Sequence, residues 1–492
     1  MTAIDRWIHH WADHRPTHPA VWFEGGATTY FQLSSAIHDM AHLLHARSVA
    51  AGDRVAFCGL NRVEQISLLF ACARLGAVLV PLNNRLSVAE HRFQIEDCSP
   101  VLALVTDGFG PQLASAAPDL PVVDLDDDPP PTAPVQAPSV GEGGDRVLLV
   151  YTSGTTGSPK GAVHSQSSLL HTVLNGVAHQ DLVADDRVLT SLPLFHVGGL
   201  NIQTLPALYV GASVLLQRRF DPDETLAIVR DHRPTQSLVV PATLQALLEH
   251  PGFASTDISC LRGLNSGSSV VPEHLIRAVV DRGVPVGQVY GATETGPTAV
   301  VLRYEDCADH IGSCGKPALH TELRVVDADG HDIVGDAAGV LLVRGPNLFV
   351  EYWNRPSETA AAFVDGWYNT GDIGRRDAEG YVFIEDRERD MLISGGENVY
   401  PAEVENTLIN HPAVAEVAVI GRSDPTWGEI PVAVIVPAAG AEAPTVEELR
   451  SWCSDRLARY KQPREVVLTR SLPRTALGKV TKHVLRAELH LD

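Results

Sequence analysis

The chain has 492 residues, 45% hydrophobic and 20% charged, a balance ordinary for a folded protein of two or more domains. Its formal net charge of −22 makes it a poor non-specific binder of nucleic acid or anionic membrane, while leaving room for a locally basic or metal-assisted anion site. The seven cysteines are scattered and form no C-x-x-C pair, which argues for reduced thiols rather than a disulfide frame or zinc site. The N-terminus lacks a signal-peptide apolar core, and no apolar run reaches the length of a membrane span. The expectation is a cytoplasmic enzyme or binding protein without nucleic-acid partner or integral membrane association, with monomer and homodimer both open.

In chain order, residues 27–50 predict a short strand and an amphipathic helix, 53–60 a strand, 62–77 a helix ending at Gly76, and 78–83 another strand. This alternation argues for layered α/β structure with a largely parallel sheet. Residues 124–147, "DLDDDPPPTAPVQAPSVGEGGDRV", are acidic and proline-rich and predict an exposed connection. Alternation resumes at 207–217, 236–250 and 284–294. From about 310 to 385 short strands with Asp-Gly and Glu-Gly turns predict a small antiparallel β unit. Beyond 387 a βα pattern predicts a separate small α/β domain. The predicted division is 1–388 and 389–492, large α/β then small.

Several stretches carry candidate chemistry. His38, His42 and His45 share one face of the first long helix, but "HDMAH" lacks the Glu base of H-E-x-x-H, so surface or half-buried histidines are the better reading. No G-x-S-x-G elbow supports a serine hydrolase. The loop "VYTSGTTGSPKGAVHS" (150–165) combines glycines, hydroxyls and Lys160, the parts of a polyphosphate cradle. Its plain alternative is a flexible surface loop. It is not a Walker loop, because Pro159 precedes Lys160 and no helix can start directly after the glycines. "VYGATETG" (289–296) sets Glu294 at a strand end, as a Mg²⁺ ligand or a turn glutamate. "YNTGDIG" (368–374) sets Asp372 in a glycine loop, able to accept two ribose hydroxyls or to make an ordinary Asx-turn. "DRERDMLISGGENVYPAEVE" (386–405) opens the last domain, and "LPRTALGKV" (472–480) carries Lys479.

Together and in this order, "YTSGTTGSPKG", "YGATE", "TGD", the "DRERD…GGENVYPAEVE" stretch and "PRTALGK" resemble the adenylate-forming superfamily of acyl- and aryl-CoA synthetases, carrier-loading adenylation domains and luciferases. The resemblance covers nearly the whole chain. It implies activation of a carboxylic acid by ATP as acyl-AMP with release of pyrophosphate, then transfer to a thiol, with ATP, Mg²⁺ and coenzyme A as the small-molecule partners.

The same resemblance implies roles for individual residues. Thr152, Ser153, Gly154, Thr155, Thr156, Gly157 and Lys160 would hold the β- and γ-phosphates. Glu294 would bind Mg²⁺, and Lys479 would reach the α-phosphate and carboxylate oxygens. Asp372, assisted by Arg387, would accept the ribose hydroxyls. Ser268 in "NSGSSV" (265–270), with Tyr290, Gly291, Ala292 and Thr293, would flank the adenine. Ser394, Gly395, Gly396 and Glu397 would line the pantetheine channel. The small domain would pivot at Arg389, where the family usually has Lys or Asp.

The acyl site is set at "LPLFHVGGLN" (192–201). His196 falls at the junction of acyl pocket and thiol channel. Gly198 and Gly199 are expected to leave room for a chain or ring, with Asn201, Gly267 and Gly291 as further lining. Residues 263–276 and 283–300 contain no Arg or Lys. A dicarboxylate would need a cation for its far carboxylate, so a fatty or aryl monocarboxylic acid is expected. A carrier-protein loader and a dicarboxylate ligase remain as alternatives.

Overall fold

The computed structural model describes residues 3–132, 139–152, 159–267, 271, 273–327, 329–387, 392–399, 401–473, 480 and 482–489. The chain falls into two compact units: Met1–Asn84, Cys98–Val150 and Gly161–Asp386 form the larger, and Arg85–Asp97, Tyr151–Lys160 and Arg387–Asp492 the smaller. The smaller unit thus takes in two segments, 85–97 and 151–160, that sequence patterning assigns to the large domain.

The first long helix, Tyr30–Ala46, begins where a capping box allows it: Thr29 Oγ1 accepts from the Gln32 amide, and Gln32 returns the bond to the Thr29 amide. Its His38 ring stacks on His9 with centroids 4.6 Å apart, and burial pulls its imidazole down to about 4. A neutral, ring-stacked histidine of this kind serves packing. The helix Val63–Leu75 ends at Gly76, whose left-handed φ of 69° reverses the chain into the strand Val78–Pro81.

Among the described residues the larger unit builds three sheets. A nine-stranded sheet has a parallel centre, in which Gly263–Gly267 lies between Gln236–Val239 and Val286–Tyr290. A seven-stranded sheet pairs Arg54–Cys58 in parallel with Val78–Pro81 and Leu102–Val105. A five-stranded antiparallel sheet gathers Glu322–Val326, Gly339–Arg344, Trp367–Arg376 and their neighbours, matching the short-strand texture of 310–385. Helices such as Tyr30–Ala46 and Val63–Leu75 bury their apolar faces with these strands in the main core.

The smaller unit has its own five-stranded sheet around Gly428–Pro437, with the helices Pro401–Leu408 and Val446–Cys453 packed over a separate core of Leu392, Val404, Leu408, Val419 and Leu449. The architecture is therefore mixed α/β, with a large N-terminal part and a small C-terminal one. No helix among the described residues is long and apolar enough to cross a membrane.

Sequence patterning gives no sign of one element. Residues Gly198–Thr204 form a wide π-helical turn, all buried. Such turns break the 3.6-residue period and leave no clear apolar rhythm.

Candidate active site

The parallel strand Val286–Tyr290 delivers the chain to a tight loop. A Cβ on Gly291 would lie 1.8 Å from the Pro297 carbonyl oxygen, so only glycine lets the loop fold back there. The 3₁₀ turn Thr293–Thr295 follows and buries Glu294. Two contacts fix the turn: Thr295 Oγ1 accepts from the Ala292 amide at 2.9 Å, and His164 Nε2 donates to the Thr293 carbonyl at 2.9 Å. Complete burial holds His164 neutral, at about 4.

Glu294 Oε1 accepts from the Tyr352 hydroxyl at 2.8 Å. Tyr352 in turn engages Tyr368, whose phenol is raised well above its ordinary value, by burial first and then by the Glu294 charge. The Tyr352 hydroxyl thus helps to position the Glu294 carboxylate. The Tyr290 hydroxyl donates to Asp372 Oδ2 at 2.7 Å, and Thr370 Oγ1 accepts from the Asp372 amide at 3.0 Å. The structure therefore brings Tyr290 and Asp372 together across 82 residues, with Gly291, Ala292, Thr293 and Glu294 in the adjoining loop. Arg387 closes the strand Val382–Arg387, which pairs with the strand carrying Asp372.

In the smaller unit, Thr152 and Lys160 stand at the neck of the glycine-rich loop, where Thr152 Oγ1 donates to the Lys160 carbonyl at 3.4 Å. Ser153, Gly154, Thr155, Thr156 and Gly157 lie outside the described residues, as do Ser268, Arg389 and Lys479. Ser394, Gly395, Gly396 and Glu397 form a two-residue hairpin. Gly395 and Gly396 both have positive φ, 61° and 82°, as this turn requires. Glu397 Oε1 lies 2.5 Å from Arg85 Nη1.

At Gly199 the expected acyl lining needs correction. His196 Nδ1 accepts from the Gly198 amide at 3.1 Å, beside the start of the π-turn. Gly199 does not leave room for substrate: a Cβ there would meet the carbonyl oxygens of Leu192 and Pro193 at 2.5 and 2.6 Å. Gly267 likewise faces the Val289 carbonyl at 2.6 Å, and Gly291 the Pro297 carbonyl. These glycines allow close backbone packing. Asn201 is fully buried and reaches the Gly296 carbonyl at 3.5 Å. Beside them Leu192, Ile202, Leu238, Val240 and Val289 form one apolar cluster. Asn265, in the stretch expected to flank adenine, is instead tied to His179 at 3.0 Å and Tyr304 at 2.7 Å inside the fold.

Sequence reasoning missed Tyr352, Tyr368 and His164. Only the aromatic pair in "EYWNRP" and the lone histidine after the glycine loop hint at them.

Within the larger unit, two buried carboxylates, each accepting from a tyrosine hydroxyl, suit a ligand that brings cations or hydroxyls, as a nucleotide does. Known proteins agree. Residues 8–353 match the AMP-binding enzyme family, and residues 403–479 its C-terminal domain. An indoleacetate–CoA ligase of Aromatoleum aromaticum is 44% identical over 98% of this chain and 97% of its own. A feruloyl-CoA synthase of an Amycolatopsis species is 41% identical over 96% of each. The solved o-succinylbenzoate CoA synthetase of Bacillus subtilis superposes with a TM-score of 0.90 at 33% identity, over 98% of both chains. The chain belongs to the AMP-binding enzyme family, and within it to the acyl- and aryl-CoA ligases, which are AMP-forming acid–thiol ligases.

Proposed function

We propose that this enzyme converts a monocarboxylic acid with an apolar body, an aryl acid before a fatty acid, to its coenzyme A thioester. The observation that carries this reading is the apolar cluster of Leu192, Ile202, Leu238, Val240 and Val289, set among segments 191–204, 236–240, 263–276 and 283–300 that contain no Arg or Lys. A second carboxylate buried there would lack a counter-ion, at a cost of several kcal/mol by the order of such desolvation penalties. The likeness to indoleacetate and feruloyl ligases supports an aromatic ring.

Two balanced steps follow. A substrate carboxylate oxygen attacks the α-phosphorus of ATP, and the bond to the bridging oxygen breaks, releasing pyrophosphate. The CoA thiol then attacks the acyl carbonyl, its proton leaves, and AMP departs. In the first step two anions meet, so positioned positive charge dominates the barrier. Lys479 supplies it at the α-phosphate and carboxylate oxygens, and Thr152–Lys160 cradle the outer phosphates. Asp372, oriented by Tyr290, accepts the ribose hydroxyls with Arg387. Glu294 fits a Mg²⁺ ion as a buried carboxylate, a hard oxygen donor that the Tyr352 hydroxyl helps to orient. Mg²⁺ would neutralise phosphate charge there. The hairpin 394–397 lines the thiol arm's path.

The test is CoA-dependent AMP release over a panel of aryl, fatty and dicarboxylic acids, repeated with a carrier protein as acceptor. An aryl monocarboxylate should give the highest kcat/KM, and a dicarboxylate in that place would overturn the reading. Lys479→Ala should lower acyl-AMP formation about 10²–10³-fold, the usual loss for one preorganised charge-stabilising group. It should spare thioester formation from supplied acyl-AMP.

A further inference from the structure

Inside the smaller unit, Lys461 Nζ stands 2.7 Å from Glu90 Oε1 and 2.9 Å from Glu403 Oε1. All three side chains are less than a tenth exposed. Burial alone would lower the Lys461 ammonium's pKa, but the Glu403 and Glu90 carboxylates outweigh it and hold it charged. Burial pushes the Glu403 carboxyl up, and the Glu90 charge adds to this against the pull of Lys461. One ammonium thus faces two carboxylates, and Glu403 Oε2 has no hydrogen-bond partner.

Such a cluster contributes little net stability, since a buried ion pair can often be replaced by apolar side chains without loss. What it supplies is geometry, because charge partners tolerate little displacement. Glu90 belongs to the helix Val88–Cys98, whose start it caps by accepting from the Ser87 amide at 2.8 Å. Glu403 belongs to Pro401–Leu408, and Lys461 lies far along the chain. The segment 85–97 has two more ties. Arg85 pairs with Glu397 of the hairpin, and the Tyr151 hydroxyl donates to Asp97 Oδ2 at 2.8 Å. Residues 85–97 enter from Asn84 and leave to Cys98, both in the larger unit, yet pack with the C-terminal residues.

We infer that Glu90, Lys461 and Arg85 are positioning residues for the thiol half-reaction, holding residues 85–97 against the hairpin 394–397 and the helix Pro401–Leu408. This rests on the proposed role of the hairpin in the thiol path. None of the three is assigned to ATP or acid.

The experiment separates the two half-reactions in the full-length enzyme. Acid-dependent pyrophosphate release without CoA reads the first, and thioester formation from supplied acyl-AMP and CoA reads the second. Glu90→Met is the principal variant, because it leaves a balanced Lys461–Glu403 pair and no stranded buried charge. It should slow thioester formation tenfold or more, leave pyrophosphate release within twofold, and raise amide hydrogen exchange in 88–98 and 401–408. Lys461→Met should do the same more strongly, and Arg85→Ala by a few-fold, as its pair is half exposed. Equal loss of both half-reactions, or unchanged thioester formation and exchange in Glu90→Met, overturns the inference. If the wild-type enzyme makes acyl-AMP but no thioester with CoA, the functional reading falls and takes the inference with it. A wild type that makes thioester and a variant that makes it equally well removes the inference alone.

Discussion

Two buried carboxylate sites in this molecule are built in opposite ways. Glu294 and Asp372 in the larger unit are each held by a tyrosine hydroxyl, from Tyr352 and Tyr290. Glu90 and Glu403 in the smaller unit are held by the ammonium of Lys461. A phenol orients a carboxylate through a hydrogen bond and adds no opposite charge of its own. An ammonium compensates charge and fixes geometry. On the proposed reading, the partner's charge separates a carboxylate that meets a ligand from one that holds the fold.

The largest expected effect tests the first half of that contrast. Glu294→Gln keeps size and can still accept from Tyr352, but it removes the charge. Acyl-AMP formation should fall about 10²–10³-fold, as for loss of one electrostatic contributor, with thermal stability nearly unchanged. Stopped-flow pyrophosphate release together with a melting curve checks both. A fall below fivefold would mean that the carboxylate serves packing rather than the ligand.

The second expectation concerns acid. His164 and His179 are fully buried and neutral, with imidazoles pulled down by burial from the ordinary 6.5 to about 4. Their folded-state pKa is lowered, so the unfolded chain binds more protons between these values. Their contribution to stability is present above pH 6.5 and is lost as pH falls toward 4. Each histidine then contributes a slope of about 1.4 kcal/mol per pH unit. Urea midpoints measured from about pH 7 down to about pH 4.5, the window that this linkage covers, should drop steadily, and less so in His179→Gln. A flat profile would show that these rings are protonated in the folded state.

The next effect is smaller. Tyr352→Phe removes the neutral donor from Glu294 and leaves the carboxylate charged but less well aimed. One hydrogen bond to a charged group is worth about 1.5–3 kcal/mol, so adenylation should slow by roughly tenfold. A change larger than that of Glu294→Gln would mean that Tyr352 acts on its own account.

What was legible in the sequence follows the same division. Period-2 and period-3.6 patterning, Gly76 after a helix and Asp-Gly turns after 310 announced the α/β layers and the β unit, because these signals are local. Glu294 and Asp372 stood out through the family resemblance of the ordered motifs, since each alone reads equally as an ordinary turn residue. Their tyrosines did not, since Tyr352 lies 58 residues from Glu294 and only the fold joins them. The Lys461–Glu90 pair spans 371 residues and left no local trace. Gly199 was misread because a missing side chain looks the same in sequence whether it makes room for substrate or for the backbone of Leu192 and Pro193. Gly199→Leu should therefore give poorly folded protein rather than a shortened acid range.

The smallest expected effect completes the contrast. Glu403→Gln removes one of two negative charges facing Lys461, and Glu90 remains at 2.7 Å to keep the ammonium paired. The Gln Oε1 can still accept from Lys461, and the replaced Oε2 has no partner to lose. Burial raises the pKa of this carboxyl, so burying its charge carries a cost that the neutral amide avoids. Both half-reactions should stay within about twofold, and the melting temperature should hold or rise, as replacing buried charge often does. The paired measurement with Glu294→Gln is decisive, because the chemical change is the same at both positions. If Glu403→Gln slowed adenylation tenfold, its carboxylate would be serving the chemistry, and the charge of the partner would no longer distinguish the two kinds of site.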